Sequence, residues 1–356
     1  MKARFKGKRI AGIYTVVPKN RVLFEDEAEN YAAPIEQTLR LKKIMGFGGH
    51  RIVRKASCAS DMAVAGLEDM INRGLLDPEE VSVVIFVSQT PDAPMPPTSN
   101  LIHGRLGLPA SVLCLDVNQG CAGFVIGAVL GFSLLDNPDC NTVVLINADT
   151  LSRKCSAQDR NIYPMVGDAA AITLLKRSFD DAEIIARVNM DGTRANALQI
   201  PAGGLRQPSS AETREVKDVG DGNRRALDHF YMEGSLVLNF VMSEVPILID
   251  QLLEDADISK EEIEFFLFHQ PNKFMLQKLG AQAGIQKDRL FTNIVEEFGN
   301  ASSATIPTNI CYNINDIVTS RSAKVMLAGF GVGLSWGGLV LNLGKLDFCE
   351  LHEMDF

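Results

Sequence analysis

Short apolar runs rich in Val and Ile alternate along this chain with Ala-, Leu- and Met-containing stretches of helical period. This is the pattern of an α/β protein with buried strands. In the first half Val81–Ser88, Val112–Val117 and Thr142–Ala148 are read as strands, and in the second half Glu264–His269, Leu290–Ile294 and Ala323–Ala328. The two sets can be laid on one another. A strand followed by Ser88-Gln89-Thr90-Pro91 and a helix ending near Leu106-Gly107-Leu108 is echoed by a strand, His269-Gln270-Pro271-Asn272 and a helix ending near Ala283-Gly284-Ile285. Ser88 and His269 are offset by 181, Cys121 and Asn300 by 179, and Val143 and Val325 by 182. Nearly constant offsets point to a duplicated β-α-β-α-β unit. The expected halves are residues 1–176 and 177–356, with matching helix N-termini meeting at a pseudo-twofold axis, where the chemistry should sit. Between them, Ala195–Asp228 is polar and rich in Gly, Pro and Ser, and is read as a surface excursion. The tail Asp347–Phe356 is read as following the last strand, without chemistry of its own.

Composition bounds the function. A chain of 356 residues, 46% hydrophobic and 22% charged, can bury a large core. A net charge of −9 speaks against a nucleic-acid partner, which needs a concentrated basic surface. The apolar stretch after the basic start Met1–Arg9 is short and interrupted by Gly12, Pro18 and Lys19, so neither a signal peptide nor a membrane span is expected, and the cytoplasm is the expected location. Seven cysteines without a C-x-x-C pair or metal-ligand spacing lead us to expect no disulfide and no zinc.

One of those cysteines stands apart. Cys121 lies in D-V-N-Q-G-C-A-G-F, after an apolar strand and at the start of a helix read over Ala122–Leu135. Helix-end N–H groups there would draw a thiol toward thiolate. Gly120 and Gly123 allow the sharp turn and the close substrate approach that a nucleophile on a strand-to-helix turn requires. The alternative is a small core residue at a helix start, which is the reading given to Cys58, Cys114, Cys140, Cys155, Cys311 and Cys349. His269 ends an apolar strand, at the edge where α/β proteins place ligands; His50, His103, His229 and His352 are read as structural. Asn300, in F-G-N-A-S-S-A-T, is the counterpart of Cys121 in the repeat, a position that raises it above an ordinary helix cap. Together the three supply a nucleophile and two groups able to face a thioester oxygen, with no metal or cofactor needed.

The motifs D-V-N-Q-G-C-A-G-F, F-H-Q-P-N, F-G-N-A-S-S-A-T and A-G-F-G-V-G-L-S-W-G resemble, in content and order, those of the 3-oxoacyl-(acyl-carrier-protein) synthase III family, and the resemblance spans nearly the whole chain. It implies a homodimeric thiolase fold of five layers, α-β-α-β-α, and an acyl group passed from acyl-CoA or a carrier thioester to Cys121. Decarboxylation of a malonyl-carrier then yields an enolate that attacks the acyl-enzyme, with His269 and Asn300 donating to the thioester carbonyl. By the same resemblance Phe330 lies beside the malonyl group, the loop around Val332 adds an oxyanion-hole amide, Asn272 borders the substrate, and Met95 reaches the partner's acyl pocket. Arg160 matches an arginine that stacks on adenine, but no tryptophan stands opposite it near residues 38–42. Phe274 replaces the arginine that docks the carrier, leaving Lys273 and Lys278 for that task, and Val332 replaces a glycine. Three other readings bear on the same residues. An acyltransferase on the same scaffold that forms an ester or amide needs no decarboxylation; a hydroxymethylglutaryl-CoA synthase would carry a glutamate where Gln89 stands; a degenerate structural subunit would lack Cys121.

Overall fold

The computed structural model describes residues 1–54, 56–180 and 182–356. Two sheets form its frame. The first has six strands in the order Phe348–Met354, Lys8–Pro18, Ala169–Arg177, Thr142–Asp149, Val81–Val87, Leu113–Val117. The second has five, in the order Lys2–Phe5, Ile184–Met190, Ser335–Gly344, Ser322–Gly331, Phe265–Phe268. Thr142–Asp149 runs parallel to Val81–Val87 and antiparallel to Ala169–Arg177. Ser322–Gly331 repeats this, parallel to Phe265–Phe268 and antiparallel to Ser335–Gly344. The duplication read from the offsets is thus the topology of the sheets.

Helices fill the space between the sheets and cover both outer faces. Gly123–Leu134 and Thr305–Asn313 lie in the middle and touch strands of both sheets. Ala59–Asn72 and Thr98–Leu106 pack outside the first sheet, and Gly234–Ala256 packs outside the second and against Lys273–Gln282. The layers are therefore α-β-α-β-α. Each interlayer has its own apolar core: Phe124, Phe132, Ile306 and Ile310 between the sheets, Met62 and Leu67 outside the first, Phe240 and Leu252 outside the second. Gly234–Ala256 is long and apolar enough to cross a membrane, but here its apolar face is laid on the second sheet.

Three expectations are corrected. Lys2–Phe5 pairs with Ile184–Met190 in the second sheet, and Phe348–Met354 pairs with Lys8–Pro18 in the first, so each half borrows an edge strand and residues 1–176 and 177–356 interlock. The tail Asp347–Phe356, read as following the last strand, contains that second strand, with buried Phe348 and Cys349 and with Glu350 held by Arg73. Leu290–Ile294 is not a strand: a single bridge joins Leu290 to Phe266, and a helix begins at Ile294. The excursion at 195–228 carries small hairpins, with Lys217–Asp218 pairing with Arg224–Arg225 and Leu198–Gln199 pairing with Tyr231–Met232 just beyond it. It is tied to the 154–160 loop through Ser156, Gln158 and Arg160.

Candidate active site

The site forms where the two central helices begin. Gly123 opens one helix, and a β-carbon on it would lie 3.2 Å from the β-carbon of Ser303, in the turn that leads into the other. Such close approach of two chain turns is possible because Gly123 has no side chain. Cys121 sits in the turn two residues before the Gly123–Leu134 helix, a little outside the span expected from the sequence. Across from it, the end of the Ser322–Gly331 strand presses its backbone on the sulfur: a β-carbon on Gly331 would stand 2.7 Å from Cys121 Sγ.

The residue Cys121 is partly exposed, but its sulfur is enclosed, and loss of water pushes the thiol up to about 11. The net shift is thus opposite to the lowering expected from the helix-end N–H groups. The backbone N–H groups of Val332 and Cys121 and the Ser302 hydroxyl all favour the thiolate, but desolvation outweighs them and the nearby Asp149 carboxylate works with it. At neutral pH the free site holds a thiol. The Val332 N–H acts on the sulfur itself, whereas the resemblance assigned this loop an amide of the oxyanion hole.

His269 is 1% exposed, at the end of the Phe265–Phe268 strand. Its Nδ1 lies 2.8 Å from Thr305 Oγ1, and that hydroxyl donates to the Ser302 carbonyl at 2.8 Å. Because the Thr305 proton is already committed, Nδ1 is the donor, and Nε2 is left with a lone pair. Burial lowers the imidazole to about 3, opposed only by the Ser302 carbonyl, so the ring is neutral. Phe330, 2% exposed, packs edge-on to it with ring centroids 5.7 Å apart. Asn300 is oriented just as firmly: its Oδ1 accepts the Ser302 N–H at 2.9 Å, which turns its Nδ2 donors the other way. Its backbone pairs with the Met165 carbonyl and the Gly167 N–H.

Six of the ten residues singled out from the sequence line one narrow, largely apolar cavity of about 50 Å3: Cys121, His269, Asn300, Asn272, Phe330 and Val332. Asn272 also caps the Lys273–Gln282 helix, its side chain accepting from the Met275 N–H at 2.8 Å, so its first role is structural. The other four lie outside the cavity. Arg160 is in the loop that anchors the excursion, its N–H on Asn223 Oδ1 at 3.1 Å. Met95 is 83% exposed. Lys273 Nζ lies 3.4 Å from Glu296, and Lys278 lies over the Phe274 ring at 4.7 Å. A second cavity, of about 390 Å3, adjoins the first and shares Gln89, Leu151, Leu198, Phe230 and Val332 with it.

Sequence reasoning missed Ser302, Thr305 and Asp149. Ser302 and Thr305 stand inside a motif that was recognised, but only for its asparagine. Asp149 could have been found from the repeat, since the strand offset of 182 carries it onto Gly331, the residue against the nucleophile.

The chain is similar to known proteins along its length. Residues 115–192 match the family described as 3-oxoacyl-[acyl-carrier-protein] synthase III, and residues 253–343 match its C-terminal region. A putative 3-oxoacyl-[acyl-carrier-protein] synthase 3 of Campylobacter jejuni is 29% identical over 97% of both chains. A beta-ketoacyl-[acyl-carrier-protein] synthase III of Lactococcus lactis is 29% identical over 83% of this chain and 87% of its own. The crystal structure of a 3-oxoacyl-(acyl-carrier protein) synthase from Burkholderia xenovorans superposes with a TM-score of 0.92 at 32% identity, covering 99% of each chain. With its duplicated fold, its Cys121–His269–Asn300 site and this similarity along its whole length, the chain belongs to the 3-oxoacyl-(acyl-carrier-protein) synthase III family.

Proposed function

We propose that the chain joins an acyl group, received as a thioester on Cys121, to a malonyl unit held on an acyl carrier protein, releasing CO2 and a 3-oxoacyl product. The observation that carries this reading is the division of the cavity: a thiol under the Val332 N–H on one side, and the inward Asn300 amide with the His269 imidazole on the other. In the first half-reaction Sγ attacks the incoming thioester, and the oxyanion collapses with loss of the donor's thiolate. In the second, the malonyl carboxylate brings a negative charge into an apolar pocket, which favours a second proton on His269. Nε2–H and Asn300 Nδ2–H then face the thioester oxygen as CO2 leaves and the enolate forms. The enolate carbon attacks the acyl carbonyl, and the Cys121 thiolate released takes the Nε2 proton. One proton is consumed per turnover, with side chains and substrate thioesters supplying all the chemistry.

On this reading the acyl group extends from Cys121 toward the adjoining cavity of about 390 Å3, which Gly120 and Val332 help to line. The donor is an acyl-CoA or an acyl-carrier, and Lys273 and Lys278, on the helix that Asn272 caps, offer positive charge to an acidic carrier. A homodimer fits the open edge of the first sheet, where Leu113 is 46% exposed. Cytoplasmic residence suits seven free cysteines. An acyltransferase forming an ester or amide would also use a neutral His269, but it would leave the inward Asn300 amide idle. The test is Asn300→Ala with acetyl-CoA and malonyl-carrier: it should accumulate acetyl-enzyme and release neither CO2 nor 3-oxoacyl-carrier. Release of an acetyl ester or amide with no CO2 from the native protein would select the other reading.

A further inference from the structure

Resting on that reading, we propose that Asp149 is the proton acceptor that activates Cys121, with the Ser302 hydroxyl as the link between them. Asp149 ends the Thr142–Asp149 strand and is 0% exposed. Its Oδ1 accepts three hydrogen bonds from the end of the neighbouring strand: the Ser88 hydroxyl at 3.1 Å, the Gln89 N–H at 2.8 Å and the Thr90 hydroxyl at 3.0 Å. Its Oδ2 is buried with no partner among the described residues, and so is Ser302 Oγ. Two orphaned polar atoms in one place are costly unless they serve each other or a reaction. Ser302 lines the catalytic cavity together with Cys121, and its turn packs on the strand that Asp149 ends; in the resting structure its hydroxyl hydrogen-bonds to neither group, but it lies near enough to favour the charged form of both. It is held there by its other polar groups, with its N–H on Asn300 Oδ1 and its carbonyl accepting from Thr305. Its φ of 53° is a conformation seldom adopted by a residue with a side chain.

The proton path balances. As the Sγ–C bond forms, the thiol proton passes to Ser302 Oγ while the Ser302 proton passes to Asp149 Oδ2, leaving a neutral carboxylic acid. When the tetrahedral oxyanion collapses, the departing thiolate takes the proton back along the same path. The negative charge moves from carboxylate to sulfur and on to the leaving group, so no new charge is created in the apolar cavity. Transfer to His269 would instead separate an ion pair there. Burial raises Asp149 to about 6, whereas His269 is lowered to about 3, so the carboxylate is the stronger base of the two. The groups facing Asp149 are the hydroxyls of Ser88, Thr90 and Ser302, the Gln89 N–H and the Cys121 thiol, and no cation figures among the main influences on it.

The experiment is single-turnover acylation by acetyl-CoA, followed by intact-protein mass spectrometry from pH 5 to 8, on the native protein, Asp149→Asn, Ser302→Ala, the double variant and His269→Ala. The native rate should fall with one proton as pH drops through about 6, tracking the carboxylate. Asp149→Asn and Ser302→Ala should each acylate about 100-fold or more slowly. The double variant should be no slower than the worse single variant, and the fall near pH 6 should vanish in Asp149→Asn. Asp149→Asn and Ser302→Ala should keep the native circular dichroism spectrum and melt cooperatively, which a merely unfolded variant would not do. Acylation of both single variants at the native rate, or loss of acylation in His269→Ala alone, would overturn the relay. Absence of any adduct on native Cys121 would instead contradict the condensing reading itself.

Discussion

At the scale of single residues, the site trades stability for reactivity. Asp149 has its carboxyl raised from 3.8 to about 6 by burial, so the folded state holds its proton more tightly than the unfolded one. Stability from this group is fully present below pH 3.8 and is lost as pH rises through about 6. Above that the ionised form costs on the order of 3 kcal/mol. Asp149→Asn keeps the Oδ1 acceptor and presents Nδ2–H to Ser302, so it should melt several degrees higher at pH 8 than the native protein while matching it at pH 4; unchanged melting at pH 8 would show that the carboxylate is better solvated than its burial implies. Gly331 makes a steric point. A methyl group there would collide with Cys121 Sγ across 2.7 Å, so Gly331→Ala should lower the acylation rate by at least about 10-fold with a melting change within ~1 kcal/mol, read by the same mass assay and by calorimetry. Cys121, His269 and Asn300 were legible in the sequence because the repeat placed them together. The protonation of Cys121 was not, because desolvation depends on what closes over the sulfur, and Gly331 and Val332 come from a distant strand end.

At the scale of elements, periodicity located the strands and helices that carry the site, and it failed where pairing rather than pattern decides. Leu290–Ile294 has the composition of a strand, yet only Leu290 bridges Phe266 before a helix starts. The tail is the opposite case. Phe348–Met354 alternates too weakly to be read as a strand, and it becomes one because Lys8–Pro18 offers it an open edge. Its anchor is Phe348, whose ring covers Gly12 so closely that a side chain at Gly12 would displace it. Phe348→Ala should therefore cost about 3 kcal/mol, measured by urea unfolding. A cost under ~1 kcal/mol would mean that the ion pair of Glu350 with Arg73, not the buried ring, holds the strand. The central helix Gly123–Leu134 is close-packed by its glycines: at Gly127 a methyl would lie 2.6 Å from Leu145 and at Gly131 2.5 Å from Leu175. That proximity keeps the turn at Cys121 pressed into the site.

At the scale of the whole molecule, two interlocked halves meet along a seam that contains the chemistry, and each half closes the other's sheet. Among the described residues no strand pairs beyond the outer edge formed by Leu113–Val117, where Leu113 is exposed. On the proposed reading a second copy covers this edge, so the native protein should sediment as a dimer at micromolar concentration, and Leu113→Lys should shift it toward monomer; a native monomer would contradict that proposal. What the sequence left open at this scale was the shape of the cavities, since side chains from both halves line them. The central claim, that Cys121 carries the acyl group on its way to a malonyl-derived carbon, is tested most directly by mapping the acyl adduct. The native protein is incubated with a panel of acyl-CoA and acyl-carrier thioesters, digested, and the modified peptide identified, with Cys121→Ser as control and malonyl-carrier added to a second aliquot. A single adduct on the peptide containing Cys121, missing in Cys121→Ser and discharged to a 3-oxoacyl-carrier, is the predicted result. An adduct on another residue, or one that malonyl-carrier never discharges, would contradict it.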